Sequence, residues 1–375
     1  MTSRRSWVAV VMATSLALLG CDTSGSSDRA EPDRGDDAPL EAFDNDPVPE
    51  ERSTDRPSGE LWVAPTGRDE GRGSREDPWR TLEASLVRLE PGDVLHLAEG
   101  EYREQIRYPS IRPASPDRPI KVMAAPGANP VIRGLLWVRD ADHWTFEGVN
   151  VTWDQEQNQR DEHMVKFEGG RGWQFVDAEV WGARSFAAIL VARAPSGWRL
   201  ADLCVHDTAP SNDTNQDHLI YVNNGPDAGP GVIENSLLFG APNGSGVKLG
   251  GPSEDSGGAS NVTVRRNTIV DAAQPILLAW GATDNVIVAN ILGSAGDGYG
   301  TIRGYRLDGP GNRALGNVGF DAESLVLNDD GYRGVEADDT NRFPVDPRFG
   351  QPGSCEGFRA QAPLVAEVGH LSASD

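Results

Sequence analysis

A short pattern recurs along this chain and leaves few folds open. A turn-forming residue precedes a strand-like apolar run at Gly148-Val-Asn-Val, Asp177-Ala-Glu-Val, Asp202-Leu-Cys-Val, Asn235-Ser-Leu-Leu, Asn267-Thr-Ile-Val, Asn290-Ile-Leu-Gly and Asn317-Val-Gly-Phe, at spacings of 23 to 33 residues. A second run follows each: Val165-Lys-Phe, Ile189-Leu-Val, Ile220-Tyr-Val, Val247-Lys-Leu, Leu277-Leu-Ala, Ile302-Arg-Gly and Leu325-Val-Leu. One such unit cannot bury its apolar face alone, so units must stack into a solenoid whose core runs along the axis. A tight corner favours Asn, Asp or Gly, which tolerate left-handed backbone angles, and stacked amides can bond from coil to coil. An antiparallel sandwich has similar turn spacing but gives no reason for Asn or Asp at six of seven equivalent corners.

The rest of the chain divides around that repeat. Arg4 and Arg5 precede an apolar run from Trp7 to Leu19, a secretory signal too short to span a membrane as a mature helix. Residues 22–59 carry 12 acidic and 4 basic residues with much Ser and Pro, so they cannot bury enough surface to fold. The expected organisation is therefore a signal at residues 1–20, an acidic linker at 21–59, and a β-helix at 60–370. One helix is expected, from Trp79 to Leu89, where Leu82, Leu86 and Leu89 fall on one face. Cys204 and Cys355 could pair in an exported protein. Yet Cys204 sits in the alternating stretch Leu203-Cys-Val, which favours a buried free thiol.

Charge narrows the partners. The net charge is −23, so a nucleic-acid or anionic-membrane surface is excluded as a general partner. Of 34 basic residues only Lys121, Lys166 and Lys248 are lysines. If the first and third residues of each second run face inward, the middle ones face solvent: Lys166, Leu190, Tyr221, Lys248, Leu278, Arg303 and Val326. Two of the three lysines then share one column with Tyr221. The insertions at 153–162, 208–217 and 250–259 flank that column and raise a groove suited to an extended polymer.

Several motifs resemble known families. Leu18-Leu-Gly-Cys21 resembles the bacterial lipobox, which implies cleavage before Cys21, lipid attachment to its thiol, and anchorage to the cell envelope, at the outer membrane or cell surface. The stretches Leu61-Trp-Val-Ala-Pro-Thr-Gly, Asp77-Pro-Trp-Arg-Thr-Leu, Pro91-Gly-Asp-Val-Leu and Phe343-Pro-Val-Asp-Pro-Arg-Phe are similar to the opening and closing coils of bacterial right-handed parallel β-helix proteins. The implied fold is all-β: a single-stranded right-handed parallel β-helix with a short N-terminal capping helix. Asn243-Gly-Ser-Gly-Val-Lys-Leu-Gly-Gly resembles the lysine-bearing strand of β-helix pectate lyases, which gives Lys248 the role of base. An amine can abstract the proton beside a uronate carboxylate only when burial or nearby cations lower its pKa, and Arg cannot substitute.

The same family holds calcium with an acidic cluster on the preceding coil. Here that stretch reads Asp217-His-Leu-Ile-Tyr221, so calcium is possible but most expected ligands are absent unless Asp207 or Asp213 rebuilds them. Tyr221 is either the acid for the leaving oxygen or an aromatic platform for a sugar. His218 is either buried at a corner, an orienting group, or a partner in the base role. Lys166 and Arg303 either lie solvated or neutralise a substrate carboxylate. The alternatives to a lyase are a non-catalytic carbohydrate-binding or structural β-helix and a glycoside hydrolase using groove carboxylates such as Asp207, Asp213 and Asp217. The expected partner is a polysaccharide, met by a monomer whose only membrane contact is its lipid. No Gly-x-Ser-x-Gly elbow or phosphate loop is present.

Overall fold

The computed structural model describes residues 59–160, 162–209, 216–254, 257–350, 353–358, 361 and 368–370. The signal, Cys21, the linker through Ser58 and Asp213 lie outside these residues. The described chain is a parallel β-solenoid. Its eleven-stranded sheet begins at Glu60–Val63, passes through Trp144–Glu147 and Trp198–Ala201, and ends at Glu336–Ala337. A fourteen-stranded sheet carries the other two strand stacks, and these merge where Val131–Arg139, Leu237–Leu249 and Thr268–Ala279 run through the bend. Parallel pairing joins each strand to its counterpart one coil away.

The expected helix forms over the five residues Leu82–Leu86. Thr81 is extended, which shortens the helix at its start, and Leu82, Leu86 and Leu89 are buried in the main core. The Glu104 carboxylate accepts from the backbone N–H groups of Leu82 at 2.7 Å and Glu83 at 2.9 Å, satisfying two donors that no helical carbonyl can reach.

Asn and Asp at the corners prove to occupy two positions, one residue apart. Asp177, Asp202 and Asn235 share the left-handed position with φ of 54°, 56° and 50°, and in the following coils it is filled by Arg266 and Ala289. Asn267, Asn290 and Asn317 sit one place later and point inward as a buried ladder. Asn267 Nδ2 donates to Asn290 Oδ1 at 3.1 Å, Asn290 to Asn317 at 2.9 Å, and Asn317 to Asn341 at 3.0 Å. A second ladder joins Asn285 to Asn312 at 2.9 Å. The ladder amides also bond backbone groups of adjoining coils, so the buried corner is hydrogen-bonded within itself.

Farther toward the N-terminus the interior is aromatic. Phe167 stacks on Trp173 with ring centroids 4.4 Å apart, Trp173 lies 5.7 Å from Trp198, and Phe146 meets Phe167 edge-on at 5.5 Å. The closing motif does more than finish a coil. Beyond a bridge between Val318 and Arg342, the segment turns back along the outside of earlier coils, with Phe349 5.8 Å from Phe320 and Phe358 5.1 Å from Phe239. Cys204 is disulfide-bonded to Cys355 of this strap, with Cα atoms 5.7 Å apart. The expectation of a free thiol is therefore overturned. Leu203 and Val205 take the inward positions, so Cys204 faces out toward the strap.

Candidate functional site

The outward column of the second strand stack reads Trp137, Lys166, Leu190, Tyr221, Lys248, Leu277, Arg303 and Leu327 in register. Tyr221 and Lys248 are direct cross-strand neighbours. Two assignments need correction: Leu277 and Leu327 occupy this column in place of Leu278 and Val326, whose side chains join the core or pack against it. In Leu277-Leu-Ala and Leu325-Val-Leu both faces are apolar, so alternation alone cannot fix which residue points inward.

The column was also expected to lie in solvent, and it does not. Lys166 is 4 % exposed, Tyr221 7 % and Lys248 3 %. Ala187, Leu190 and Tyr221 form a small apolar cluster on this outer face. Lys248 Nζ lies 4.4 Å from the Tyr221 ring centroid and 5.8 Å from that of Trp280, so aromatic faces replace much of the water around it.

His218 is fully buried, and its Nδ1 accepts the backbone N–H of Ser245 at 2.9 Å. That bond places the imidazole proton on Nε2, which has no hydrogen-bond partner among the described residues. Burial, then the neighbouring Lys248 and His163, push its protonation well below the ordinary histidine range. A neutral ring already committed at Nδ1 suits the orienting role and not the base. The His218 ring meets Tyr221 edge-on at 5.8 Å. Asp217 is buried, with Oδ2 accepting from Asn243 Nδ2 at 2.9 Å. Among the described residues no set of three acid, thiol or imidazole donors converges on it, and Asp207 is engaged with His206 Nδ1 at 2.9 Å. The donors among the described residues do not fit calcium.

Lys166 belongs to a charge node and not to a solvated face. Its Nζ lies 3.4 Å from the buried Glu168 carboxylate, which also pairs with Arg139 at 3.2 Å and with Arg193, and accepts from the Tyr108 hydroxyl at 2.8 Å. Burial raises the Glu168 pKa, but the Tyr108 bond, Lys166, Arg193 and Arg139 outweigh it and hold it at about 2. Three cations among the described residues thus surround this one carboxylate. Glu168 went unnoticed in the sequence, although its place two residues after Lys166 puts it on the same face. Arg303 is paired with Asp329 at 2.8 Å, and its guanidinium carbon lies 5.4 Å from the Tyr299 ring centroid and 5.5 Å from that of Tyr305.

A groove of about 710 Å³ opens on the eleven-stranded sheet, away from Lys248. Its floor carries Lys121, Thr145, Gln174 and Arg199 in one register column, with Asp177 and Asp202 at the rim. Burial and the nearby Glu147 and Asp202 raise the Asp177 pKa. Lys121, one of the chain's three lysines, lies on this floor, but the coil repeat did not point to it because it precedes the first repeat unit at Gly148.

No protein-family model matches the chain, and no curated protein matches it. Among solved structures, a glycoside hydrolase aligns with TM-score 0.51 at 8 % identity over 84 % of this chain and 99 % of its own. The pectate lyase Pel9A aligns with TM-score 0.46 at 17 % identity over 84 % and 90 %. A mannuronic-acid-specific polysaccharide family 6 lyase from human gut microbiota gives 0.44 at 14 % over 72 % and 66 %. These neighbours are polysaccharide-active β-helix proteins, and at such identities the likeness is one of fold.

Proposed function

We propose that this chain is an exported, lipid-anchored envelope protein whose solenoid cleaves an acidic, uronate-containing polysaccharide by β-elimination. The observation that carries the reading is the buried, in-register pair of Lys248 and Tyr221 on the outer face. Lys248 takes the proton from the carbon bearing the carboxylate. The electron pair left behind forms a carbon–carbon double bond as the glycosidic C–O bond breaks, and the Tyr221 hydroxyl gives its proton to the departing oxygen. The node of Lys166, Arg139 and Arg193 around Glu168 supplies positive charge on the same face, where an acidic sugar binds without calcium. The aromatic and aliphatic cover over Lys248 must open to admit the polymer.

The test is ultraviolet absorbance of the unsaturated product, with pectate, alginate and a glycosaminoglycan, with and without calcium. Wild type should generate the signal, and Lys248→Ala should abolish it with the thermal midpoint retained. Silence from wild type across all three polymers would end the lyase reading. A second reading, glycoside hydrolysis, is favoured by one observation: Asp177 is held toward its protonated form at the rim of the opposite groove, as a general acid requires. New reducing ends without ultraviolet absorbance, lost in Asp177→Asn, would establish it.

A further inference from the structure

The disulfide sits beside a histidine that the polysaccharide site does not use. Cys204 and His206 share the outward face of the strand Cys204–His206, and Cys355 arrives from the strap. The two sulfurs and one imidazole nitrogen all lie within 4.8 Å of one another. The His206 ring is held between Phe239, 4.8 Å away and 1° from parallel, and Trp181, 6.5 Å away and 10° from parallel. Both ring nitrogens face carboxylates: Nε2 meets Glu179 at 3.0 Å and Nδ1 meets Asp207 at 2.9 Å. An imidazole fixed in plane, with a carboxylate on its far nitrogen, has the support that orients metal-binding histidines. Two thiolates and one imidazole are donors of the kind that zinc takes, and the two acids stand ready to supply an oxygen.

We propose that this trio is a redox-gated zinc site, so that the strap stays fastened by a disulfide when oxidised and by a metal when reduced. A dithiol reductant gives two electrons and two protons to the Cys204–Cys355 bond and itself becomes a disulfide. The two new thiols release their protons to solvent as zinc binds them as thiolates. His206 gives one nitrogen to the metal and keeps a carboxylate on the other. The carboxylate displaced from the first nitrogen completes the shell as an oxygen donor.

The experiment uses the full chain carrying Cys21→Ser, so that no third thiol contributes. The protein is reduced with dithiothreitol, freed of reductant without air, and titrated with cobalt(II) alone and then zinc(II). Reduced protein should bind one cobalt with a thiolate-to-cobalt charge-transfer band in the near ultraviolet, and zinc should erase the band. Oxidised protein should show no band. His206→Phe keeps the ring stack and both thiols, and should bind at least about tenfold more weakly; Glu179→Gln should weaken binding by about tenfold or more. Zinc should also slow proteolysis of the reduced strap. A reduced protein without the band, or a His206→Phe protein that binds as tightly as its parent, would overturn the site.

Discussion

One inward register position runs the length of the solenoid and changes character halfway. In the earlier coils it holds Ile120, Trp144, Trp173 and Trp198; after Gly231 and Val262 it holds Asn285 and Asn312. The neighbouring corner behaves alike, passing from Val149, Ala178 and Leu203 through Ser236 to Asn267, Asn290 and Asn317. One backbone plan is thus stabilised in two ways. The earlier coils gain from apolar area and ring packing, and the later ones from amides that satisfy buried backbone groups. Gly231 marks the join: a Cβ there would lie 2.0 Å from Cε2 of the Trp198 indole, so the last tryptophan of the stack occupies the space of the next coil's side chain.

The two halves should fail differently. Trp173→Ala removes a ring packed against both Phe167 and Trp198 and should cost about 4 kcal/mol, read as a drop in the urea midpoint. Asn290→Ala deletes an amide that bonds Asn267, Asn317 and the Val264 carbonyl, and should cost about 3 kcal/mol because the partners stay buried. Equal tolerance of the alanine at Asn290 and at an exposed control would break the contrast. Acid should act on the earlier half through Glu168. Its folded pKa of about 2 lies below the ordinary glutamate value of 4.5, so its contribution is whole above about 4.5 and lost as the pH falls toward 2. Glu168→Gln should remove on the order of 2 kcal/mol at neutral pH and flatten that limb of the stability–pH curve, whereas the asparagine ladders do not titrate. Gly231→Ala should cost about 1–2 kcal/mol by overpacking against Trp198; a neutral result would mean that the join has slack.

The coil repeat, the capping helix and the pairing of Tyr221 with Lys248 were legible because polar residues at Lys166, Tyr221, Lys248 and Arg303 break the apolar runs and reveal their faces. Where a run is apolar on both faces, as at Leu277-Leu278, the inward residue was misassigned. The left-handed corner and the ladder merged into one column because Asn serves both: Asn235 takes the first and Asn267 the second. Burial of the site was hidden because it depends on what aromatic side chains from neighbouring coils cover, such as Trp280 over Lys248. The disulfide joins residues 151 positions apart through a strap whose return path no local pattern announces.

The three leucines of the opening helix and the turn after it have a consequence beyond stability. A parallel coil presents at its end the same strands and the same open interior that receive the next coil, so a solenoid is a template for its own extension. Leu82, Leu86 and Leu89 close that interior, and the Glu104 carboxylate holds the helix start against the strand Glu101–Arg107. A chain that lost this plug would offer the open edge of its first coil to a strand of another copy.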